Sequence, residues 1–401
     1  MSLWRIVLKS LRQHALSTAI TSVSIALAAG LLMAVWSVKE QAQATFTRID
    51  GGFDAVLGAR SSKLQLVLNA VFHLEASPAN IAWNDFLEVQ KHPGVELAVP
   101  IAMGDNFRGY RVVGTLPEMF TKAEYAPGKR HAAQKPGRLF DPARREAVVG
   151  SFAAGRLGLT YGSKFRPFHG LNFDEEHQHE EEYVVVGILA PSNTPADKVL
   201  WIPLEGVQHM SGHAAETATD VSAVLVKLRS PLAGPALEQL YNKKGNRLTF
   251  AWPMGATMAE LFNKIGWFDR VLALVAVLVA VVAAGSVLAS IYNSMNERRR
   301  QIAIMRALGA RRSTVASTVV LEAVAIAMLG GLIGFGIYGA IMTAAGAVIR
   351  AQTGVVLDSL AWNPVLIWAP AGLIVLSALA GIVPAQKAYR TDVAENLAPI
   401  S

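Results

Sequence analysis

Apolar residues gather into four long runs, near positions 19–38, 271–292, 315–347 and 365–385, and between the first two lies a long stretch of ordinary mixed polarity. About 20 mostly apolar residues suffice to cross a hydrocarbon core, so each run predicts a transmembrane helix. The pattern divides the chain into an interfacial helix at 1–18, membrane helices at 19–40, 266–294, 315–348 and 365–386, and an α+β domain with helical stalks at 41–265. A polar elbow at 295–314, a short loop at 349–364 and a tail at 387–401 complete it. The expected fold class is thus membrane α-helical, four transmembrane helices, with an α+β extracytoplasmic domain between helices 1 and 2.

Finer periodicities add detail. Trp4, Leu8 and Leu11 share one helical face while Arg5, Lys9 and Arg12 lie elsewhere, which suits a helix resting on the inner leaflet. Apolar positions at helical spacing follow the first span (Val38, Ala42, Thr45, Phe46, Ile49) and precede the second (Met258, Leu261, Phe262, Ile265, Phe268, Leu272), predicting stalks that continue the spans outward. The alternative for the first 40 residues is a cleaved signal peptide with a site at Ala42-Gln43-Ala44, against which stands an apolar run longer than such peptides carry. Within the domain, β-branched runs at 95–101, 111–114, 146–149, 183–189 and 221–228 predict strands.

Charge sets the orientation. Arg5, Lys9 and Arg12 precede the first span, Arg298, Arg299, Arg300, Arg306, Arg311 and Arg312 sit between the second and third, and Lys387 and Arg390 follow the fourth. Short cytoplasmic flanks carry the positive excess, so all three flanks share the inner side and both termini are cytoplasmic. The large domain then faces outward. These flanks account for most of the net charge of +7, which leaves no reason to invoke nucleic acid. Cysteine is absent, so disulfides and thiolate metal sites are excluded.

From 15–38, 271–296, 323–349 and 365–386 there is no Asp, Glu, Lys, Arg or His. Ionisable groups inside membranes mark ion paths and proton relays, and Glu322, at the cytoplasmic start of the third span, is the sole candidate; an interfacial carboxylate pairing with Arg311 or Arg312 is its plainer reading. A hydrophilic substrate therefore has no route through these spans. Gly330 and Gly334 have the small-x-x-x-small spacing that allows close helix packing, within the chain or between copies. A phosphate-cradling loop needs G-x-x-x-x-G-K-[ST]; the string from Gly158 to Lys164 has the wrong spacing. No nucleophile and base pairing stands out, so the chain reads as non-catalytic.

All histidines but His14 fall in the outer domain, and 174–182 reads DEEHQHEEE. His169 precedes that run, while His209 and His213 stand four apart, on one face if helical. Imidazole with carboxylate suits zinc, copper or nickel, so His169, His177, His179, Glu180, His209 and His213 form a candidate metal set. The other reading is a solvated acidic loop.

The stretch Glu297-Arg298-Arg299-Arg300-Gln301-Ile302-Ala303-Ile304-Met305-Arg306-Ala307-Leu308-Gly309-Ala310 is similar to the ER-x-x-E-I-G-x-x-R-A-x-G-A signature of the MacB, FtsX and LolC/LolE superfamily of permeases. Gln301 stands for the usual acid and Ala303 for the usual Gly. Leu321-Glu322-Ala323, Gly330-Gly331-x-x-Gly334 and Pro384-Ala385-Gln386-Lys387-Ala388 match as well, and so does the order of one span, a large outer domain and three clustered spans. Arg138-Leu139-Phe140, Glu146-Ala147-Val148-Val149-Gly150 and Leu157-Gly158-Leu159-x-x-Gly162 resemble the periplasmic core domain of these permeases.

What the resemblance implies is the membrane subunit of a mechanotransmitting ABC transporter in a bacterial inner membrane, with the large domain periplasmic. The elbow would be a coupling helix, with Glu297, Arg298, Arg299, Arg300, Arg306 and Gly309 engaging a cytoplasmic ABC ATPase dimer that holds ATP and magnesium. MacB fuses that ATPase to the permease, whereas LolC/LolE and FtsX keep it separate, as this chain would. A second permease copy or a related chain would complete the complex, with a periplasmic or lipoprotein partner as a further candidate. Gly58-Ala59-Arg60-Ser61-Ser62-Lys63-Leu64-Gln65-Leu66-Val67-Leu68-Asn69 and Trp201-Ile202-Pro203-Leu204-Glu205-Gly206 resemble a proteobacterial subgroup linked to zinc-responsive operons. Two alternatives to amphiphile, lipoprotein or other periplasmic cargo transport stay open: a zinc uptake or homeostasis complex, and an FtsX-like activator of a periplasmic enzyme.

Overall fold

The computed structural model describes residues 3–390 except 49–50, 172, 175–176, 212–218, 298 and 308. In chain order come α1 (Leu3–Gln13), α2 (Ala15–Arg48), β1 (Ala55–Ala59), α3 (Lys63–Ala70), α4 (Trp83–Lys91), β2 (Val95–Phe107), β3 (Tyr110–Thr115) and α5 (Glu118–Thr121). Then follow β4 (Glu146–Val149), α6 (Ser151–Leu157), β5 (Lys164–Phe165), β6 (Phe168–His169), β7 (Tyr183–Ile188), β8 (Leu200–Pro203), α7 (Leu204–Gln208) and β9 (Ala223–Leu228). The chain continues through α8 (Ala233–Glu238), β10 (Leu248–Ala251), α9 (Met254–Lys264), α10 (Trp267–Glu297), α11 (Arg299–Ala307), α12 (Arg312–Thr353) and α13 (Val365–Arg390). Two compact units result: a helical unit of Met1–Gln41, Ile265–Ala347 and Leu357–Ser401, and a sheet unit of Ala42–Lys264 with Val348–Val356.

The sheet unit is built on ten strands in the order β10-β1-β9-β2-β3-β8-β4-β7-β5, with β6 off this path on β2. The β3–β8 and β4–β7 pairs are parallel and the others antiparallel. Successive side chains point to opposite faces of a strand, and here both faces are covered. Ala55, Leu57, Val112, Val149, Leu200, Ile202 and Val224 enter one apolar cluster, while Val56, Val113, Val148, Trp201 and Leu225 enter the other. Such strands read as continuous apolar runs. The five predicted strands correspond to β2, β3, β4, β7 and β9.

Family-like strings in this unit have structural reasons. Arg138 donates twice to Glu146, at 2.6 and 2.5 Å, and the Asp141 N–H adds a third bond at 2.9 Å. The Arg138 guanidinium thereby holds the Glu146 carboxyl below the usual carboxylate range despite its burial. Gly158 ends α6 at φ +66°, the left-handed conformation that glycine adopts at no steric cost. Trp201 is fully buried, edge-on to Phe120 and His73.

The half-buried His73 and the buried His131 share a cavity of about 20 Å³, bounded also by Phe53, Met119 and Trp201. Their Nδ1 atoms have no hydrogen-bond partner among the described residues. Burial pushes His73 down to about 3, helped by the nearby Arg111 charge, and pushes His131 down to about 4.

In the helical unit, α2, α10, α12 and α13 are each long and apolar enough to cross a membrane. Close packing of α12 on α2 rests on small residues. A methyl group at Gly330 would come within 2.7 Å of Ile25 Cβ, one at Gly334 within 2.9 Å of Ala29 Cβ, and one at Gly30 within 2.7 Å of Ile337. The Gly330–Gly334 spacing thus receives a helix of the same chain. α1 carries Val7 and Ser10 on its buried side, and Ser10 Oγ donates to the Glu322 carboxylate of α12 at 2.5 Å.

The stalks differ from expectation in one respect. α2 runs unbroken to Arg48, but the second stalk is a separate helix, since α9 ends at Lys264 and α10 begins at Trp267. The run from Met258 to Leu272 merges two apolar faces. Met254 and Met258 enter the sheet unit's core with Leu261 and Phe262, whereas Ile265 and Phe268 stay exposed. The last turn of α12 also extends past the expected end of the third span, and its residues belong to the sheet unit. There Lys198 Nζ donates to Gln352 O at 2.6 Å, and the Arg350 guanidinium lies 5.2 Å from the Phe152 ring.

Candidate functional site

The elbow between the second and third spans folds as α11, a nine-residue helix, RRQIAIMRA. Arg, Gln, Met and Ala are strong helix formers. One side faces inward: Ile302 is 4% and Ala303 0% exposed, and Ile302 joins the apolar cluster of Met295, Val315 and Val319. Ala303, where the family pattern has Gly, is thus fully buried. Ile304 lies 44% exposed. Gly309 closes the element at φ +96°, donating its N–H to Arg306 O at 3.0 Å. That conformation strains any L side chain, which gives the signature glycine a reason: it turns the chain from α11 into α12. Arg298 lies outside the described residues, as do the side chains of Glu297, Arg299 and Arg300.

The histidine-rich region resolves differently from the predicted metal set. Its centre is Asp105, His169 and His179, whose ligand atoms all lie within 4.8 Å of one another. Strand pairing brings them together. Asp105 on β2 is opposite His169 on β6, and β6 pairs on its other side with the chain at 177–179: Phe168 bridges Gln178, His169 N–H donates to His177 O at 2.8 Å, and His179 N–H donates to Pro167 O at 2.9 Å. A bulge in β2 between Met103 and Asp105 aims the aspartate. Asp105 and His179 are buried, at 0% and 3% exposure, while His169 is half exposed.

His179 Nε2 sits 3.0 Å and His169 Nδ1 3.6 Å from the same Asp105 oxygen, Oδ1. His179 Nδ1 donates to Ser211 O at 2.7 Å. Ser211 is in turn fixed by Glu181, which accepts from its N–H at 3.0 Å and its hydroxyl at 2.9 Å.

Three of the six predicted ligands stand apart from this centre. His177 is exposed and pairs with Asp174 at 3.1 Å; Glu180 is exposed; and His209 follows the end of α7, with its Nδ1 3.1 Å from Glu205 O. α7 stops at Gln208, and His213, and with it the shared helical face of His209 and His213, lies outside the described residues. Asp105 was not anticipated, although an acid followed by Asn inside the otherwise apolar strand VELAVPIAMGDNF is a signal that could have found it.

A family model described as the MacB-like periplasmic core domain matches residues 17–241, more than half of the chain. The chain belongs to this family. A second model, the FtsX-like permease C-terminal domain, matches residues 273–393, which takes in α11, Gly309 and the packed glycines of α12. The permease is 28% identical to the probable syringafactin export ATP-binding/permease protein SyfD of Pseudomonas syringae, over 50% of this chain and 29% of that protein. It is 30% identical to the macrolide export ATP-binding/permease protein MacB of Burkholderia lata, over 38% of this chain and 23% of that protein. With the uncharacterized ABC transporter permease YknZ of Bacillus subtilis the figures are 33%, 26% and 25%. The permease therefore spans less than a third of the length of these curated relatives. Among solved structures, the periplasmic region of MacB from Actinobacillus actinomycetemcomitans is 12% identical, with a TM-score of 0.37 over 54% of this chain and 94% of that one. The family matches and the fold together give a MacB-like periplasmic core domain, an FtsX-like permease C-terminal domain and four helices long and apolar enough to cross a membrane.

Proposed function

We propose that this permease works by mechanotransmission: α11 docks on a separate cytoplasmic ABC ATPase, and nucleotide-driven movement of that ATPase is delivered to the periplasmic domain. The observation that carries the reading is α11 itself, anchored on its inner side by Ile302 and Ala303, bounded by the Gly309 turn, and offering Ile304 outward. A short helix held at both ends by spans passes a push to those spans. The absence of ionisable residues from the apolar spans supports motion rather than an aqueous path as the output. The basic flanks support an inner-membrane orientation with both termini cytoplasmic. The ATPase is a dimer holding ATP and magnesium, a second copy of this chain completes the complex, and the cargo is amphiphilic and handled on the outer face, in keeping with the export of syringafactin and macrolides named for two relatives.

Copurification of the ATPase with the full-length permease tests this. Ile304→Asp, alone and with Arg306→Glu, should lower ATPase recovery at least tenfold, about 1.4 kcal/mol of docking energy, while membrane insertion is unchanged. Full recovery with the double variant would remove α11 from the coupling role.

A further inference from the structure

The trio of Asp105, His169 and His179, of which the first and last are buried, contains an electrostatic conflict. A carbonyl only accepts, so the 2.7 Å contact with Ser211 O places a proton on His179 Nδ1. In the neutral ring, Nε2 then presents its lone pair, and what it meets at 3.0 Å is Asp105 Oδ1, another acceptor. Something positive must lie between them. A proton would do, making an imidazolium–carboxylate pair; a metal cation would do as well, and His169 Nδ1, turned to the same Oδ1 at 3.6 Å, offers it a third donor.

We propose that Asp105, His169 and His179 form a binding site for a divalent transition cation of the zinc type. Ligand atoms at 2.0 to 2.2 Å from a tetrahedral ion lie about 3.3 Å from one another, and the two Oδ1 distances bracket that value. Two imidazoles and one carboxylate are a donor set that zinc accepts, and a four-coordinate ion keeps one position for water or a further donor. The outer groups are of the kind such sites use. The proton on His179 Nδ1 is held by a backbone carbonyl, and that carbonyl's own residue is clamped by Glu181, an arrangement that fixes tautomer and ring direction. The backbone is preorganised too, because β6 is hydrogen-bonded on one side to the strand bearing Asp105 and on the other to the segment bearing His179. The ion ties three chain segments together, and its role is a staple on this edge of the periplasmic domain. This assignment stands apart from the ATPase reading, and its test involves no ATPase.

Calorimetric titration of the detergent-solubilised full chain with zinc chloride decides it, read beside the thermal unfolding midpoint. The expected result is one ion per chain and a midpoint raised by zinc. Asp105→Asn and His169→Ala should weaken binding at least about tenfold, a loss that even outer-group changes cause at metal sites, and should abolish the midpoint shift. His177→Ala should bind as the wild type does. Because His169 is half exposed, its alanine variant folds whether or not the aspartate variant does, and it decides alone if Asp105→Asn does not insert. Absence of binding by the wild type would identify the pair as imidazolium and aspartate and overturn the proposal. Equal binding by His169→Ala, or equal loss in His177→Ala, would assign the ion to the surface loop and overturn it as well.

Discussion

His73 and His131 are held neutral by burial, at about 3 and about 4 against an ordinary value of 6.5. A histidine whose folded value is depressed costs nothing above 6.5, where both folded and unfolded rings are neutral. Below 6.5 the unfolded chain takes up a proton that the folded one refuses, and stability falls by about 1.4 kcal/mol per pH unit for each ring. The loss continues until His131 itself titrates near pH 4 and His73 near pH 3. Between pH 6.5 and 5, before carboxylates contribute strongly, the pair removes roughly 4 kcal/mol. Full-chain unfolding midpoints measured across that window should fall steadily, and His73→Gln should take away about half of the slope. A flat wild-type profile would show that these rings are protonated in the folded protein. Single residues were unevenly legible in the sequence. His169 and His179 stood out because imidazole is scarce, but Asp105 became visible only once β6 paired with β2, an aspartate having no chemistry of its own until a partner strand supplies the neighbours. His177 and Glu180 stand apart from Asp105 because strand alternation and burial, which a dense charge run does not show in one dimension, decide which side chains come together.

Elements show the same division. β2, β3, β4, β7 and β9 are rich in β-branched residues between turn signals and were readable, whereas β1, β8 and β10 were not, because each holds a single β-branched residue and, being buried throughout, shows no alternation to make up for it. A strand covered on both faces has no alternation to detect. The break between α9 and α10 was hidden for a related reason: two apolar faces, one set in the sheet unit's core and one left exposed, add up to an apparently continuous helical period. The short elbow was legible through its motif, and the physical sense of one motif position is now plain. Gly309 at φ +96° should not tolerate a β-branched replacement. Gly309→Val is expected to cost about 1–3 kcal/mol, seen as a lowered unfolding midpoint in detergent; an unchanged midpoint would mean that α11 and α12 can be joined by another conformation.

At the scale of the whole molecule, the sequence contains no cysteine, so any introduced thiol is a unique reporter of sidedness. Tyr161 is 58% exposed in the sheet unit and Ile304 44% exposed on α11. Tyr161→Cys should react with a membrane-impermeant maleimide in spheroplasts, and Ile304→Cys only after permeabilisation. The reverse pattern would invert the topology drawn from the basic flanks. The contacts between α12 and α2 bear on how such a membrane unit moves. Ile25 seats at Gly330 on the facing helix, and Ile337 seats at Gly30 in return. Knobs inserted in both directions act like a keyed joint: neither helix can slide along or roll about the other unless the pair first separates, and a packed interface of that kind prefers discrete arrangements to gradual shear. A displacement arriving at the start of α12 is then shared by α2 without slippage, so the first and third spans have the mechanics of a single thick rod.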